Sequence, residues 1–248
     1  MFNSQSFKKN PWLWVLLGYL LISNMEYLFT DQNAILRLVL TIPGLLIAIT
    51  FHEFAHAFVA DKLGDDTPRK QGRLTLNPLA HLDPFGCIML LFLGIGWGKP
   101  VAINSNNFHR KISVRKGNAL VAIAGPAMNF ILVILFSVIY GLLLKFATSF
   151  MLFNTVGVTI GSILSYTISI NIGLGVFNLI PLPPLDGSKV LDAFLPQKAH
   201  KWYVEHEQVL QLIFLVLWLT PISGKIIAPV INFLGIQAGN LIRLIIGL

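Results

Sequence analysis

His52-Glu53-Phe54-Ala55-His56 lies inside an apolar run that is long enough to cross a lipid bilayer. Residues 34–51, which precede it, hold a single charge, Arg37. On a helix, side chains at positions i and i+4 share one face, so both imidazoles can bind one metal ion while the adjacent glutamate activates a water molecule. A water-dependent metal site in this apolar setting indicates hydrolysis within a membrane.

The composition of the chain supports a membrane location. Of its 248 residues, 55% are hydrophobic and 12% are charged, whereas soluble domains carry about 25% charged residues. We therefore predict an all-α polytopic membrane protein. The net charge of +7 does not indicate a nucleic-acid partner, because the basic residues follow the membrane topology. Cys87 is the one cysteine, so a zinc site in this chain would use histidine and carboxylate ligands.

Six segments are predicted to span the bilayer, since a crossing needs about 20 apolar residues. They lie at about 11–29, 34–60, 118–144, 154–182, 208–222 and 226–246. The N-terminal apolar stretch also resembles a signal peptide, but no small-x-small cleavage site follows, which favours a retained span. We expect one domain over 1–248, with a catalytic core at about 34–190 and closing helices at about 207–247.

The section between the second and third spans, residues 61–116, is mixed in composition. Within it, Arg73–Asn77 is predicted to form a short membrane-associated strand. The apolar piece Phe85–Gly96 is too short to cross, so we predict a re-entrant or interfacial hairpin there.

The distribution of basic residues predicts the orientation of the chain. With both termini in the cytoplasm, all but three of the 18 Lys and Arg residues fall on the inner side, the exceptions being Arg37, Lys145 and Lys225. We expect a multi-pass protein of a bacterial or archaeal cytoplasmic membrane. At 1.5 Å per residue, the two histidines would lie roughly 7–14 Å below the cytoplasmic end of their helix.

A catalytic zinc needs a third protein ligand. Carboxylates are rare within membrane spans, and only Glu26, Glu53 and Asp186 lie in or at the ends of the predicted ones. Glu26 is near the outer end of the first span. Asp186 ends the fourth span on the cytoplasmic side, level with the histidines, and is the best third ligand on topology.

Three prolines, Pro181, Pro183 and Pro184, precede Asp186. Proline cannot continue a helix, so we expect the fourth span to open into extended chain before this aspartate. Such an extended edge could hold a substrate segment by main-chain pairing.

Seven pieces of the chain match a known family: His52–Ala57, Leu63–Asp65, Gly72–Pro78, His81–Pro84, Gly96–Pro100, Ala124–Asn129 and Phe177–Gly187. Through them the chain resembles the site-2 protease family, a group of zinc metalloproteases that cleave within membranes. The resemblance implies that His52, His56 and Asp186 bind one Zn²⁺ per chain, that Glu53 is the general base and that Asn178 contacts the substrate backbone or the oxyanion. It also implies a substrate that is the transmembrane segment of another protein. Many relatives carry a PDZ or CBS domain, but residues 61–116 are too short and partly apolar, so we expect a compact member without either.

Alternatives remain open at this stage. A membrane metal-ion transporter could use the same three ligands, although it would not need Glu53 beside them. Asn178 could make a purely structural hydrogen bond, and Asn129 could either bond between helices or line the site. His81 and Asp83 are interpreted as a structural turn. The oligomeric state does not follow from the sequence.

Overall fold

The computed structural model describes residues 31, 33–84, 86, 98–218 and 220–248. Within them the chain forms nine α-helices and two short 3-10 turns. The helices are α1 Ala34–Lys62, α2 Thr67–Lys70, α3 Val114–Phe146, α4 Thr148–Phe153, α5 Thr155–Asn178, α6 Asp186–Phe194, α7 Gln197–Glu205, α8 Glu207–Trp218 and α9 Pro221–Ile246; the turns are Pro78–Ala80 and Ser105–Asn107.

Four of the described helices are long and apolar enough to cross a membrane: α1, α3, α5 and the Ser223–Ile246 part of α9. They confirm the spans predicted at 34–60, 118–144 and 226–246. The fourth predicted span, 154–182, is confirmed as α5 but ends earlier, at Asn178. The first predicted span, 11–29, lies outside the described residues.

The span predicted at 208–222 is wrong. This region is α8, a helix of 12 residues that ends at Trp218. Its length is about 18 Å, well short of the roughly 30 Å hydrocarbon core. Pro221 begins α9, in keeping with the preference of proline for the first turn of a helix. Apolar composition runs across this break, which is why hydropathy merges the two sides.

The strand predicted at Arg73–Asn77 is also wrong, and no β-strand occurs among the residues that the structure describes. The segment is an irregular loop that uses its polar groups locally. The Arg73 guanidinium is buried and donates to the Ala80 carbonyl. The Thr75 carbonyl lies 2.7 Å from Nε2 of His81. Among the described residues, this segment has no neighbouring strand to join. The hairpin predicted at 85–96 lies, apart from Gly86, outside the described residues.

The helical bundle has an apolar outer surface and an apolar core that also encloses several buried polar side chains. Helices α1, α3 and α5 pack against one another, and α6 and α9 pack against α3. Ile131 and Ile134 on α3 are more than half exposed, as expected of side chains that face lipid. Asn129 and Asn171 are fully buried between the helices. The bundle therefore keeps its hydrogen-bonding groups where lipid cannot reach them.

The loop between α1 and α3 folds back onto the end of α1. Asp65 is fully buried and accepts hydrogen bonds from the Thr67 N–H at 3.1 Å, the Asn104 N–H at 2.7 Å and the Asn107 amide at 3.1 Å. Burial raises the pKa of Asp65, but these hydrogen bonds outweigh it, so that its pKa lies below the ordinary value. This anchor holds the segment that begins at Gly98 against α1.

Candidate active site

His52, His56 and Asp186 come together at one point inside the bundle. The histidines are one turn apart on α1, and Asp186 is the first residue of α6. The two Nε2 atoms are 3.0 Å apart, and each lies 3.2 Å from Oδ2 of Asp186. Both histidines are buried and Asp186 is largely buried. The three ligand candidates predicted from sequence are thus brought together by the fold.

The hydrogen bonds on the far side of each imidazole fix where its proton sits. Nδ1 of His52 lies 2.7 Å from Oδ1 of Asn129, and Nδ1 of His56 lies 2.7 Å from the Val121 carbonyl. Both oxygens are acceptors, so each Nδ1 carries the proton and donates. Each Nε2 therefore points a lone pair at the other and at the carboxylate. Three electron-rich atoms within 3.2 Å of each other would repel unless a proton or a metal cation lay among them, so the arrangement could hold a metal ion.

The donor set fits zinc. Zn–N and Zn–O distances of about 2.0–2.2 Å in a tetrahedron place ligand atoms about 3.4 Å apart. The observed separations of 3.0–3.2 Å are close to this value. Two imidazoles and one carboxylate are also the ligands of a known class of catalytic zinc site, in which a fourth position stays open.

Asp186 is positioned by a chain of tight turns rather than by extended chain. Helix α5 ends at Asn178, so the expectation that Asp186 ends this span is wrong. The Leu182 N–H donates to the Ile180 carbonyl at 2.9 Å, and the Leu185 N–H donates to the Leu182 carbonyl at 3.0 Å. The Pro183–Pro184 peptide bond between them is cis. The extended edge predicted before Asp186 is therefore absent.

Two further contacts hold this loop in place. Gly187 packs so closely on the backbone of Leu179 that a Cβ atom would overlap it. The hydroxyl of Tyr203 on α7 donates to the Pro181 carbonyl at 2.9 Å. The turn after α5 and the start of α6 are thereby fixed relative to each other, which sets the position of the Asp186 carboxylate.

Glu53 contacts the loop between α1 and α3. Its Oε2 accepts a hydrogen bond from the Val101 N–H at 3.1 Å. The segment approaches closely at Gly98, where a Cβ atom would lie 3.0 Å from Cγ2 of Ile49 and 3.8 Å from Oε1 of Glu53. One carboxylate oxygen of Glu53 is thus held by the backbone.

Asn178 makes a local bond. Its amide donates to the Leu174 carbonyl at 3.0 Å, within α5, as the structural alternative expects. Asn178 is half-buried and precedes the turns that lead to Asp186. His81, which is fully buried and lies 2.7 Å from the Thr75 carbonyl, fits the structural turn interpretation.

Some groups around the site were not found by sequence reasoning. The N–H of Val101 and the carbonyl of Val121 belong to the backbone, which leaves no trace in residue type. Gly125 on α3 faces both imidazoles: a Cβ atom there would lie 2.6 Å from Nε2 of His52 and 2.6 Å from Cε1 of His56. The Gly125-Pro126 pair within an apolar helix was the signal that could have indicated this close approach.

The site combines the His-Glu-x-x-His motif, whose two histidines are buried, with an aspartate that is distant in sequence. Together with apolar helices of spanning length, it defines a membrane protein with a metallohydrolase site. The chain belongs to peptidase family M50, whose model matches residues 40–221. This match confirms the resemblance to site-2 proteases.

Several curated proteins are similar in sequence. The protein named "Putative zinc metalloprotease YwhC" of Bacillus subtilis is 38% identical over 84% of this chain and 91% of its own length. "Putative zinc metalloprotease Rip2" of Mycobacterium tuberculosis is 29% identical over 74% of this chain and 68% of its own length. "Zinc metalloprotease MJ0392" of Methanocaldococcus jannaschii is 28% identical over 82% of this chain and 45% of its own length. No solved structure shows significant similarity.

Proposed function

We propose that the protein is a zinc-dependent endopeptidase that hydrolyses peptide bonds in or near the transmembrane segments of other membrane proteins. Membership of family M50 and the similar zinc metalloproteases make it a membrane-associated zinc protease. The observation that carries the proposal is the convergence of His52, His56 and Asp186 next to Glu53 on a helix of spanning length. A site built into such a helix favours substrates that are themselves in the membrane.

The proposed roles follow from the donors and acceptors of the site. His52 and His56 present Nε2 lone pairs and Asp186 presents Oδ2, so these three would hold the zinc ion. Zinc, when bound, lowers the pKa of a water molecule toward about 7 and polarises a carbonyl group. Glu53 takes a proton from the attacking water and delivers it to the leaving amine. The Val101 N–H keeps one oxygen of Glu53 in place during this exchange.

The remaining parts of the proposal concern the substrate and the setting. Asn178 is proposed to turn its amide from the Leu174 carbonyl to the substrate backbone or the oxyanion. We propose a single domain over 1–248, with both termini in the cytoplasm of a bacterial or archaeal cell. Lipids and a transmembrane substrate, and no nucleic acid, are the expected partners. The site would lie near the inner face of the bilayer, where a short cavity admits water.

The test compares wild-type protein with Glu53→Gln in detergent, with Glu205→Gln as the matched control. Glu205 is an exposed glutamate of α7 paired with Lys201. Zinc content and cleavage of a panel of single-span membrane peptides are measured for all three. We expect about one zinc in each and cleavage by wild type and Glu205→Gln only. Unchanged cleavage by Glu53→Gln would refute the mechanism.

A metal-ion transporter remains the second candidate. Its transit site could use the same three ligands, but Glu53 would have no role in it. Reconstituted vesicles loaded with a zinc-sensitive dye separate the two functions. Zinc flux that survives Glu53→Gln, together with no cleavage by wild type, would favour transport.

A further inference from the structure

His52 is connected to the interior of the bundle by a chain of side-chain hydrogen bonds. Nδ1 of His52 donates to Oδ1 of Asn129 at 2.7 Å. The Asn129 amide donates to Oδ1 of Asn171 at 2.9 Å, and the Asn171 amide donates to the Thr167 carbonyl at 2.8 Å. We call these three residues, Asn129, Asn171 and Thr167, the asparagine relay. Each is at most 1% exposed.

The relay allows only one direction of the Asn129 amide. Its two N–H groups are both used, one by Asn171 and the other by the Ala48 carbonyl at 3.2 Å. Turning the amide over would place its oxygen against two other oxygens and break both bonds. Oδ1 is therefore held toward His52, where it accepts the Nδ1 proton and leaves Nε2 without one.

The two histidine ligands are oriented by different means. His56 donates to the Val121 carbonyl, a backbone group that substitution does not remove. His52 depends on the side chain of Asn129, which depends in turn on Asn171. The relay also crosses the three central helices, since His52 is on α1, Asn129 on α3 and Asn171 on α5. The orientation of one ligand is thus coupled to the packing of the whole bundle.

We propose that Asn129 and Asn171 are positioning residues that fix the tautomer and orientation of His52 and so determine the metal affinity of the site. The inference rests on the proposed function in that it takes His52, His56 and Asp186 as the zinc ligands. Removing a partner that orients a metal-bound histidine typically costs 10–100-fold in metal affinity. We expect a loss in this range for Asn129 and a smaller one for Asn171, which acts through it.

The experiment measures zinc affinity of the purified full-length chain by competition with a chelator of known affinity. The variants are Asn129→Leu, Asn129→Asp, Asn171→Leu and His52→Ala. Ser137→Ala is the matched control, because Ser137 is a fully buried polar residue two turns further along α3. The visible absorption of Co²⁺ bound in place of zinc gives a second readout, since it reports ligand geometry rather than stability.

The expected results form a series. Asn129→Leu loses 10–100-fold in zinc affinity and changes the Co²⁺ spectrum, Asn171→Leu loses about 3–10-fold, and Ser137→Ala matches wild type. Asn129→Asp keeps an acceptor for the His52 proton but loses the two bonds that the Asn129 amide donates to Ala48 and Asn171. It should therefore lose less zinc affinity than Asn129→Leu, since carboxylate–histidine–metal arrangements orient the ligand in the same way. If Asn129→Leu does not fold, the comparison of Asn129→Asp with His52→Ala tests the proposal instead.

The outcomes that overturn the inference differ from those that overturn the proposed function. Wild-type affinity and an unchanged Co²⁺ spectrum in folded Asn129→Leu would overturn the relay, as would a loss in Asn129→Asp as large as that in His52→Ala. Wild-type zinc affinity in Asn171→Leu would overturn the role of Asn171 and leave Asn129 as the positioning residue. A wild-type chain that binds no zinc, or a His52→Ala variant that binds it as tightly, would instead overturn the ligand assignment itself.

Discussion

Gly125 of α3 and His52 of α1 are in direct contact, with no room for a side chain between them. A Cβ atom on Gly125 would lie 2.6 Å from Nε2 of His52, the atom that faces the proposed metal position. The same Cβ would lie 2.6 Å from the His56 ring. Both proposed ligands can therefore converge only because residue 125 has no Cβ atom.

Substitution of this glycine should damage the metal site more than the fold. Gly125→Ala is expected to push the imidazoles apart and to lower zinc affinity at least tenfold, because geometry within a few tenths of an ångström is needed to share a metal. Zinc affinity measured by chelator competition checks this. Gly239→Ala on α9 is the control, since nothing lies within 4 Å of a Cβ there. Equal affinity in the two variants would contradict the prediction.

The Val101 N–H offers a way to disturb Glu53 without touching its carboxylate. Val101→Pro removes the donor, and the loss of a hydrogen bond to a charged group is worth about 1.5–3 kcal/mol. We expect kcat to fall about 10–100-fold while zinc content stays at about one per chain. Steady-state cleavage of a single-span peptide measures the first quantity and metal analysis the second.

Ala102→Pro serves as the control for Val101→Pro. Among the described residues, the Ala102 N–H has no hydrogen-bond acceptor to lose. Activity that falls equally in both variants would mean that proline disturbs the loop as a whole. In that case the hydrogen bond from Val101 would have no particular role in catalysis.

The buried carboxylate of Asp65 is predicted to stabilise the loop over the site. In Asp65→Asn, an amide would face the donors of Thr67, Asn104 and Asn107, and we expect a loss of about 1–3 kcal/mol in stability at pH 7. Asp66→Asn is the control, because the Asp66 side chain is half exposed and forms a surface ion pair with Lys70 across one helical turn. Thermal unfolding in detergent, monitored by proteolysis within residues 98–112, measures the stability of both variants.

The effect of Asp65 has a defined pH dependence. Its pKa is lower in the folded protein than the ordinary 3.8, so its stabilisation is complete above about pH 4 and disappears as pH falls through the folded pKa. The difference between wild type and Asp65→Asn should therefore shrink below pH 4. A difference that is constant from pH 7 to pH 3 would show that charge is not the cause.

The sequence predicted the residues that come together at the candidate site better than it predicted the surroundings of that site. His52, Glu53 and His56 follow from a helical spacing that two histidines need to share a metal. Asp186 follows because carboxylates are so rare in apolar spans. Chemistry restricted these residue types strongly enough for a single sequence to reveal them.

Other features depended on partners that the sequence does not show. Five residues at 73–77 alternate like a strand, but alternation cannot reveal whether a neighbouring strand exists. The merged span at 208–222 failed because hydropathy is insensitive to a helix break. Asn129 was predicted either to bond between helices or to line the site. It bonds between helices, and one of its partners is the proposed ligand His52.

The distance along the chain between the proposed ligands has a consequence for biosynthesis. His52 and Asp186 are separated by 134 positions, so at about 5–20 residues per second the ribosome needs roughly 7–27 s to add the last ligand after the first. During this interval the nascent chain would already be entering the membrane among other newly made proteins. With only two of its three metal ligands, it would be unable to cut them.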